Sequence, residues 1–171
     1  QYTEAAKSAI RKMLGIPNQE WEKIGEYTVT ENSVSYEITT DSNGQPFSLS
    51  QMLVKIWIEA STTGTRDYIA AYNLAIRNDD VNALVSAPTK RYLANTGAAC
   101  YFQFESWVKG GSVISNGFAA SAPGSTQTIE QINYAFDDVK SFRGFRLSQY
   151  ASTQTLIPAG TVIKLYGIRI D

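Results

Sequence analysis

The chain has 171 residues, of which 43% are hydrophobic and 18% are charged, and its formal net charge is -1. This composition is typical of a globular domain that buries its own core, and it argues against an intrinsically disordered chain. The balanced charge gives no support to nucleic-acid binding, and no apolar run in the sequence is long enough to span a bilayer. The sequence has no histidine and a single cysteine, Cys100, which excludes histidine-based catalysis and an internal disulfide.

The N-terminal segment has the spacing of a helix. Residues 2–14 repeat apolar side chains at helical intervals, and Thr3 is placed to cap the first turn. We expect a short connector helix in residues 1–17, followed by one β domain in residues 18–171. The apolar stripe of a helix this short requires a partner, which is either its own domain or copies of itself in an oligomeric stalk. Because the chain begins with Gln1, we expect a processed chain or the C-terminal piece of a longer protein.

After Trp21 the apolar period changes to two, which is typical of half-buried strands. Residues 68–76 have a helical composition, but their larger apolar side chains occupy alternate positions, so we favour a strand. Turn residues separate about eight to ten such runs, and Asn116-Gly117 is interpreted as one tight turn. The sequence therefore predicts a mostly β protein, an antiparallel jelly-roll-like β-sandwich with a short N-terminal α-helix. Met52, Val54, Ile56 and Ile58 form one face of the third run.

The two ends of this β region carry recognisable patterns. The closing pattern consists of Pro158, Ala159, Gly160, Thr161, Ile163, Leu165, Tyr166 and Gly167. It resembles the last strand of β-sandwich domains in bacteriophage tail and baseplate proteins, and the run before it resembles the usual hairpin partner of that strand through Phe145, Arg146 and Leu147. The opening of the β region is similar to the start of such domains through Trp21, Ile24, Gly25, Gly44, Pro46 and Phe47. Residues 60–135 carry no such pattern.

The resemblance implies a scaffold rather than a chemistry, since the matching residues are structural. Phage domains of this kind serve as receptor-binding heads, as carbohydrate-binding modules and as connectors, and fold alone does not choose among them. We expect a non-catalytic receptor-binding module that binds host cell-surface carbohydrate, with a structural virion connector as the alternative. The expected assembly is a homotrimer in the phage tail, made in the host cytoplasm and acting outside the cell beside other tail or baseplate proteins. Neither nucleic-acid binding nor membrane insertion is expected.

A sugar site needs an aromatic platform beside hydrogen-bonding side chains. Trp107 shares one strand face with Tyr101 and Glu105, and we predict that this face supplies the platform. Packing against the core is the competing interpretation of Trp107. The other predicted sugar contacts are in loops: Arg66, Asp67 and Asp79.

Three further features have competing interpretations. Trp57 lies between two core positions and is compatible with core packing, a subunit contact or a ligand platform. The run 78–80 offers oxygens to a calcium ion, but an ordinary turn is favoured, and neither a metal nor a cofactor is expected. Glycoside hydrolysis requires two carboxylates across a cleft, and no motif places such a pair among the 16 acidic residues. We therefore expect no enzyme activity.

Overall fold

The computed structural model describes residues 20–58, 67–77, 83–93, 100–121, 128–149 and 157–170, with six positions of the N-terminal segment. For β5, β8 and parts of the neighbouring strands the description covers the backbone only. The predicted helix and the division at residues 1–17 fall mostly outside the described residues and stay predictions. The strands of the described part are β1 (Glu22–Thr28), β2 (Ser35–Ile38), β3 (Leu49–Ile58), β4 (Asp67–Arg77), β5 (Ala83–Leu93), β6 (Cys100–Lys109), β7 (Ser112–Ser121), β8 (Thr128–Phe136), β9 (Val139–Gln149) and β10 (Val162–Arg169).

All strand pairs in the described part are antiparallel, which confirms the prediction of a mostly antiparallel β protein. Six strands pair in the order β1-β10-β3-β6-β7-β8, and four pair in the order β2-β9-β4-β5. We call these the six-strand group and the four-strand group. They are joined where Leu49 of β3 pairs with Phe142 of β9.

The core lies where the apolar faces of these strands meet. Met52, Val54, Ile56 and Ile58 are fully buried, as their alternation in the sequence predicts. On β6, Phe104 is buried, and its ring centroid lies 6.0 Å from that of Phe145 on β9. Side chains of the two groups therefore pack against each other. The backbone of β5 also approaches β7 and β8, so the two ends of the strand order come close together.

A short polar chain crosses this core. The Asn73 side-chain amide on β4 donates to the Ser106 hydroxyl on β6 at 2.9 Å, and Ser106 and Ser115 share a hydrogen bond of 2.7 Å. All three residues are buried. Burying a polar group costs less free energy when it has a hydrogen-bond partner, so this chain favours one alignment of β4 over β6 and β7.

In the closing stretch, individual residues have the predicted local roles, but the last strand pairs with other strands than predicted. Gly160 has a φ of 89°, a left-handed value that favours glycine, and Leu165 is fully buried. A Cβ on Gly167 would meet the side chain of Leu49, so glycine permits the close approach of β3. The prediction that the stretch around Arg146 forms a hairpin with the last strand is wrong. The last strand, β10, pairs with β1 and β3, since the chain crosses between groups after β9.

The turn predicted at Asn116-Gly117 is also wrong, because both residues lie inside β7. A Cβ on Gly117 would collide with the carbonyl oxygen of Gln103 and lie 2.5 Å from Cα of Phe104. Glycine is therefore required here by the close approach of β6 and β7 rather than by a reversal of the chain.

An ion-pair network ties the end of β10 to the start of the domain. The Arg169 guanidinium pairs with the carboxylates of Glu22 and Asp41, and its distance to Asp41 is 2.9 Å. Asp41 also accepts backbone hydrogen bonds from Asn43 and Gln45. The Gln45 amide, with smaller contributions from the Asn43 amide and Arg169, holds the pKa of Asp41 below its usual range, although burial acts in the opposite direction.

This network predicts a pH-dependent loss of stability. A lowered carboxyl pKa stabilises the folded state above the unfolded-state pKa of about 3.9, and that stability is lost as the pH falls through the lower folded value. We expect Asp41→Asn, which keeps the acceptor oxygen, to be less stable than the parent protein at pH 7. The deficit should become smaller as the pH falls toward the lowered folded-state pKa of Asp41. Urea unfolding at neutral pH and near pH 3 measures this; the same deficit at both pH values contradicts the prediction.

Candidate functional site

The strand faces that point away from the core form a broad outer surface on the six-strand group. Trp57 on β3 is directly opposite Tyr101 on β6 and Val162 on β10. One pair along, Lys55 is opposite Gln103 and Lys164. Since opposite side chains of an antiparallel pair are close neighbours, aromatic rings and polar groups lie side by side.

Four rings on this surface form what we call the aromatic face: Trp57, Tyr101, Phe118 and Tyr166. The centroid distance is 5.9 Å for the pair Trp57–Tyr101 and again 5.9 Å for Tyr101–Phe118. The Lys55 ammonium nitrogen lies 5.7 Å from the centroid of the Tyr166 ring, within range of a cation–π interaction. Trp57 is 45% exposed and Phe118 is 39% exposed. Large rings are thus presented to solvent on the outer face of the sheet.

A shallow depression of about 370 Å³ lies within this surface. Aromatic rings and two amines converge on it, a combination suited to a ligand with both an apolar face and hydroxyl groups. The Lys164 ammonium lies 3.6 Å from the Glu26 carboxylate, which holds one positive charge at the rim. The lining residues are Lys55, Trp57, Tyr101, Val162, Lys164 and Tyr166.

Two ionisable groups on the outer face of β6 have raised pKa values. Burial, and to a smaller extent Tyr166, raises the pKa of the Tyr101 phenol, which stays a neutral hydrogen-bond donor at physiological pH. Its hydroxyl donates to the Gln103 side-chain oxygen at 2.9 Å. Burial also raises the pKa of Glu105, which lies between Leu53 and Asn116 in the strand register.

The structure separates the residues that the sequence grouped on one strand. Tyr101 lines the depression, and Glu105 follows it along β6. Trp107 is half-buried opposite Gln51 and Ile114, roughly 20 Å from Tyr101 at about 3.4 Å per residue. A compact ligand therefore cannot contact both Tyr101 and Trp107.

The predicted loop contacts are largely outside the described residues. Arg66 and Asp79 both fall there. Asp67 opens β4 and its backbone pairs with Leu93, but its side chain is outside the described part.

Sequence reasoning missed most of the depression. Lys55, Lys164 and Tyr166 were not predicted as site residues, and Trp57 was left open. Each of these residues lies between buried neighbours along its own strand, so the sequence alternation indicates that its side chain points outward. Their convergence was not, because it depends on the pairing of β3 with both β6 and β10.

Within the described residues, no group of three or more His, Cys, Asp or Glu side chains is placed to hold a metal ion. The same part of the chain contains no helix with the length and apolar character needed to cross a membrane.

Fold and site together define an antiparallel β domain with an aromatic outer face. No family model matches the chain, and no curated protein matches it. Among solved structures, it is similar to a chain in the structure of infectious bursal disease virus Gx strain, with 8% sequence identity and a TM-score of 0.33. The match covers 88% of this chain and 34% of that chain. A likeness this low carries no argument about function.

Proposed function

We propose that this chain is a non-catalytic module of a phage tail or baseplate that binds host cell-surface carbohydrate. The observation that carries the proposal is the depression in which the rings of Trp57, Tyr101 and Tyr166 lie beside the amines of Lys55 and Lys164. The phage assignment is supported by the pattern of the closing strand. The virion, outside the host cell, is the proposed location.

The chemistry of the depression suits a sugar. An indole or phenol ring covers the apolar face of a pyranose, while ammonium, amide and phenol groups hydrogen-bond its hydroxyls. The depression is open and shallow, so one copy is expected to bind weakly. Useful affinity then requires several copies acting together, which is why we propose a homotrimer.

The proposed scaffold is a jelly-roll-like sandwich in which the two strand groups are the two layers. Its support is the contact of Phe104 with Phe145 and the hydrogen bond from Asn73 to Ser106, each of which joins one group to the other. A sandwich of this kind holds the aromatic face rigid, which lowers the entropy cost of binding.

We expect Trp57→Ala and Tyr101→Ala each to weaken glycan binding about five- to thirtyfold, since loss of a stacking ring removes roughly 1–2 kcal/mol. Ile114→Ala is the matched control, because Ile114 is 56% exposed on the same outer surface but does not line the depression. A glycan array identifies the ligand, and calorimetry then compares the variants.

Two results would contradict this assignment. The first is that the protein binds a glycan and neither Trp57→Ala nor Tyr101→Ala changes the affinity. The second is loss of binding in Trp107→Ala alone, which would move the site to the other end of β6. Light scattering that gives a monomer at micromolar concentration would count against the trimer.

A structural connector is the second candidate, and one observation favours it. Three large apolar side chains, Trp57, Ile114 and Phe118, are exposed on the same outer surface, as at a protein–protein interface. A connector would bind no glycan on the array yet form a stable complex with a tail or baseplate protein, and Phe118→Ala would weaken that complex.

A further inference from the structure

A second concave site lies on the four-strand group and shares no residue with the depression on the aromatic face. Its volume is about 450 Å³, within the range of small-ligand pockets. It is lined by residues that follow β2 together with residues of β4 and β9. Its lining includes Glu37, Thr39, Thr40, Leu74, Arg143 and Arg146.

A β-bulge brings two arginines into this cavity. On a regular strand, Arg143 and Arg146 would point to opposite faces because they are three positions apart. The register of β9 with β4 shifts here, so that Phe142 and Gly144 face consecutive residues of β4 and Arg143 is the extra residue. A bulge redirects a side chain in this way, and both arginines line the same cavity.

Arg146 is held in place with unused hydrogen-bonding capacity. The guanidinium carbon of Arg146 lies 5.4 Å from the centroid of the Tyr72 ring, which restricts its orientation. Its Nε is buried and has no hydrogen-bond partner among the described residues. A buried donor without a partner is unfavourable and indicates a place for an acceptor.

In the described part of the chain, the carboxylate that lines the same cavity forms no ion pair with either arginine. Glu37 is opposite Arg146 in the β2–β9 register, yet the ion pairs of the described residues include none between Glu37 and Arg146 or Arg143. Two arginines against one glutamate leave the lining with a net positive charge, in a chain whose overall charge is negative.

We propose that this cavity binds an oxyanion, a carboxylate or phosphate group, through Arg143 and Arg146 with the hydroxyls of Thr39 and Thr40. The guanidinium fork matches two oxygens of such a group, and a charge-assisted hydrogen bond is stronger than a neutral one. The threonine hydroxyls are neutral donors at the same wall.

Titration with inorganic phosphate and, in a separate arm, with glucuronate tests the site. The arginine Nε–H signals of the ¹⁵N-labelled chain are followed by NMR. We expect the Arg146 signal to shift with a Kd of about millimolar, weakened by added salt. Arg146→Gln and Arg143→Gln should each weaken binding about tenfold or more. Arg146→Lys, which keeps the charge but loses the fork, should retain part of the affinity.

Lys109→Gln is the charge-matched control, because it removes one positive charge from an exposed position outside the cavity and should leave binding unchanged. Circular dichroism establishes that each variant is folded. If Arg146→Gln does not fold, the affinity of Arg143→Gln decides the outcome, because Arg143 is exposed and its substitution leaves the core intact. Binding of either probe alone supports the site and identifies its oxyanion. No shift of Arg146 with either probe up to about 50 mM, well above a millimolar Kd, or unchanged affinity in Arg143→Gln, would overturn the proposal.

Discussion

Phe145→Ala is expected to lower the free energy of unfolding by about 3–5 kcal/mol, because it removes a fully buried ring and leaves a cavity. Phe145 lies on β9 and contacts Phe104 of β6, so its ring joins the two strand groups. A loss of this size is a large part of the stability of a typical domain. Chemical denaturation followed by tryptophan fluorescence measures it.

A double-mutant cycle makes the same experiment specific for packing between the groups. Phe104→Ala, Phe145→Ala and the double variant should give a coupling free energy of about 0.5–1.5 kcal/mol, as for other aromatic pairs in contact. Phe118→Ala is the control, because Phe118 is 39% exposed on the outer surface and its loss should cost about 1 kcal/mol or less. Strict additivity of the two core substitutions would contradict packing of one strand group against the other.

Gly117→Ala is expected to destabilise the protein by about 3 kcal/mol, the upper end of the usual range for overpacking. The added Cβ would meet backbone atoms of Gln103 and Phe104, which cannot rotate away as a side chain can. Strands β6 and β7 must therefore separate locally, which weakens their hydrogen bonds. Thermal unfolding followed by circular dichroism measures the effect.

The neighbouring residue supplies the control for this experiment. Asn116 is exposed on the outer surface of the same strand, and Asn116→Ala should change stability by about 0.5 kcal/mol or less. If Gly117→Ala were as harmless as Asn116→Ala, β6 and β7 would not approach as closely as the structure shows.

Local features of the strands could be predicted from the sequence, whereas contacts between distant segments could not. Alternation predicted β3 and its buried face, and it correctly favoured a strand over a helix at residues 68–76. Both are local properties, since the direction of a side chain depends on the two-residue period of its own strand. The interpretation of Asn116-Gly117 as a turn was wrong because glycine serves both turns and close strand contacts, and a single sequence does not distinguish them.

The candidate sites show the same difference between local and long-range features. Trp107, Tyr101 and Glu105 were grouped because they share one strand face, but a strand spreads such residues along its length. The depression instead recruits Trp57, which is directly opposite Tyr101, and Tyr166, which is two pairs further along in register with Leu53 and Glu105. Likewise, Arg143 joins Arg146 only because a bulge in the β4–β9 register redirects it.

The amino-acid order by itself determined that this protein is mostly antiparallel β, which face of β3 is buried, and that histidine chemistry is excluded. Only the tertiary structure decided that β10 pairs with β1 and β3, which rings share a surface, and that two arginines line one cavity. The physical reason is that burial follows a local period, whereas strand partners are chosen by the packing of segments that are distant along the chain.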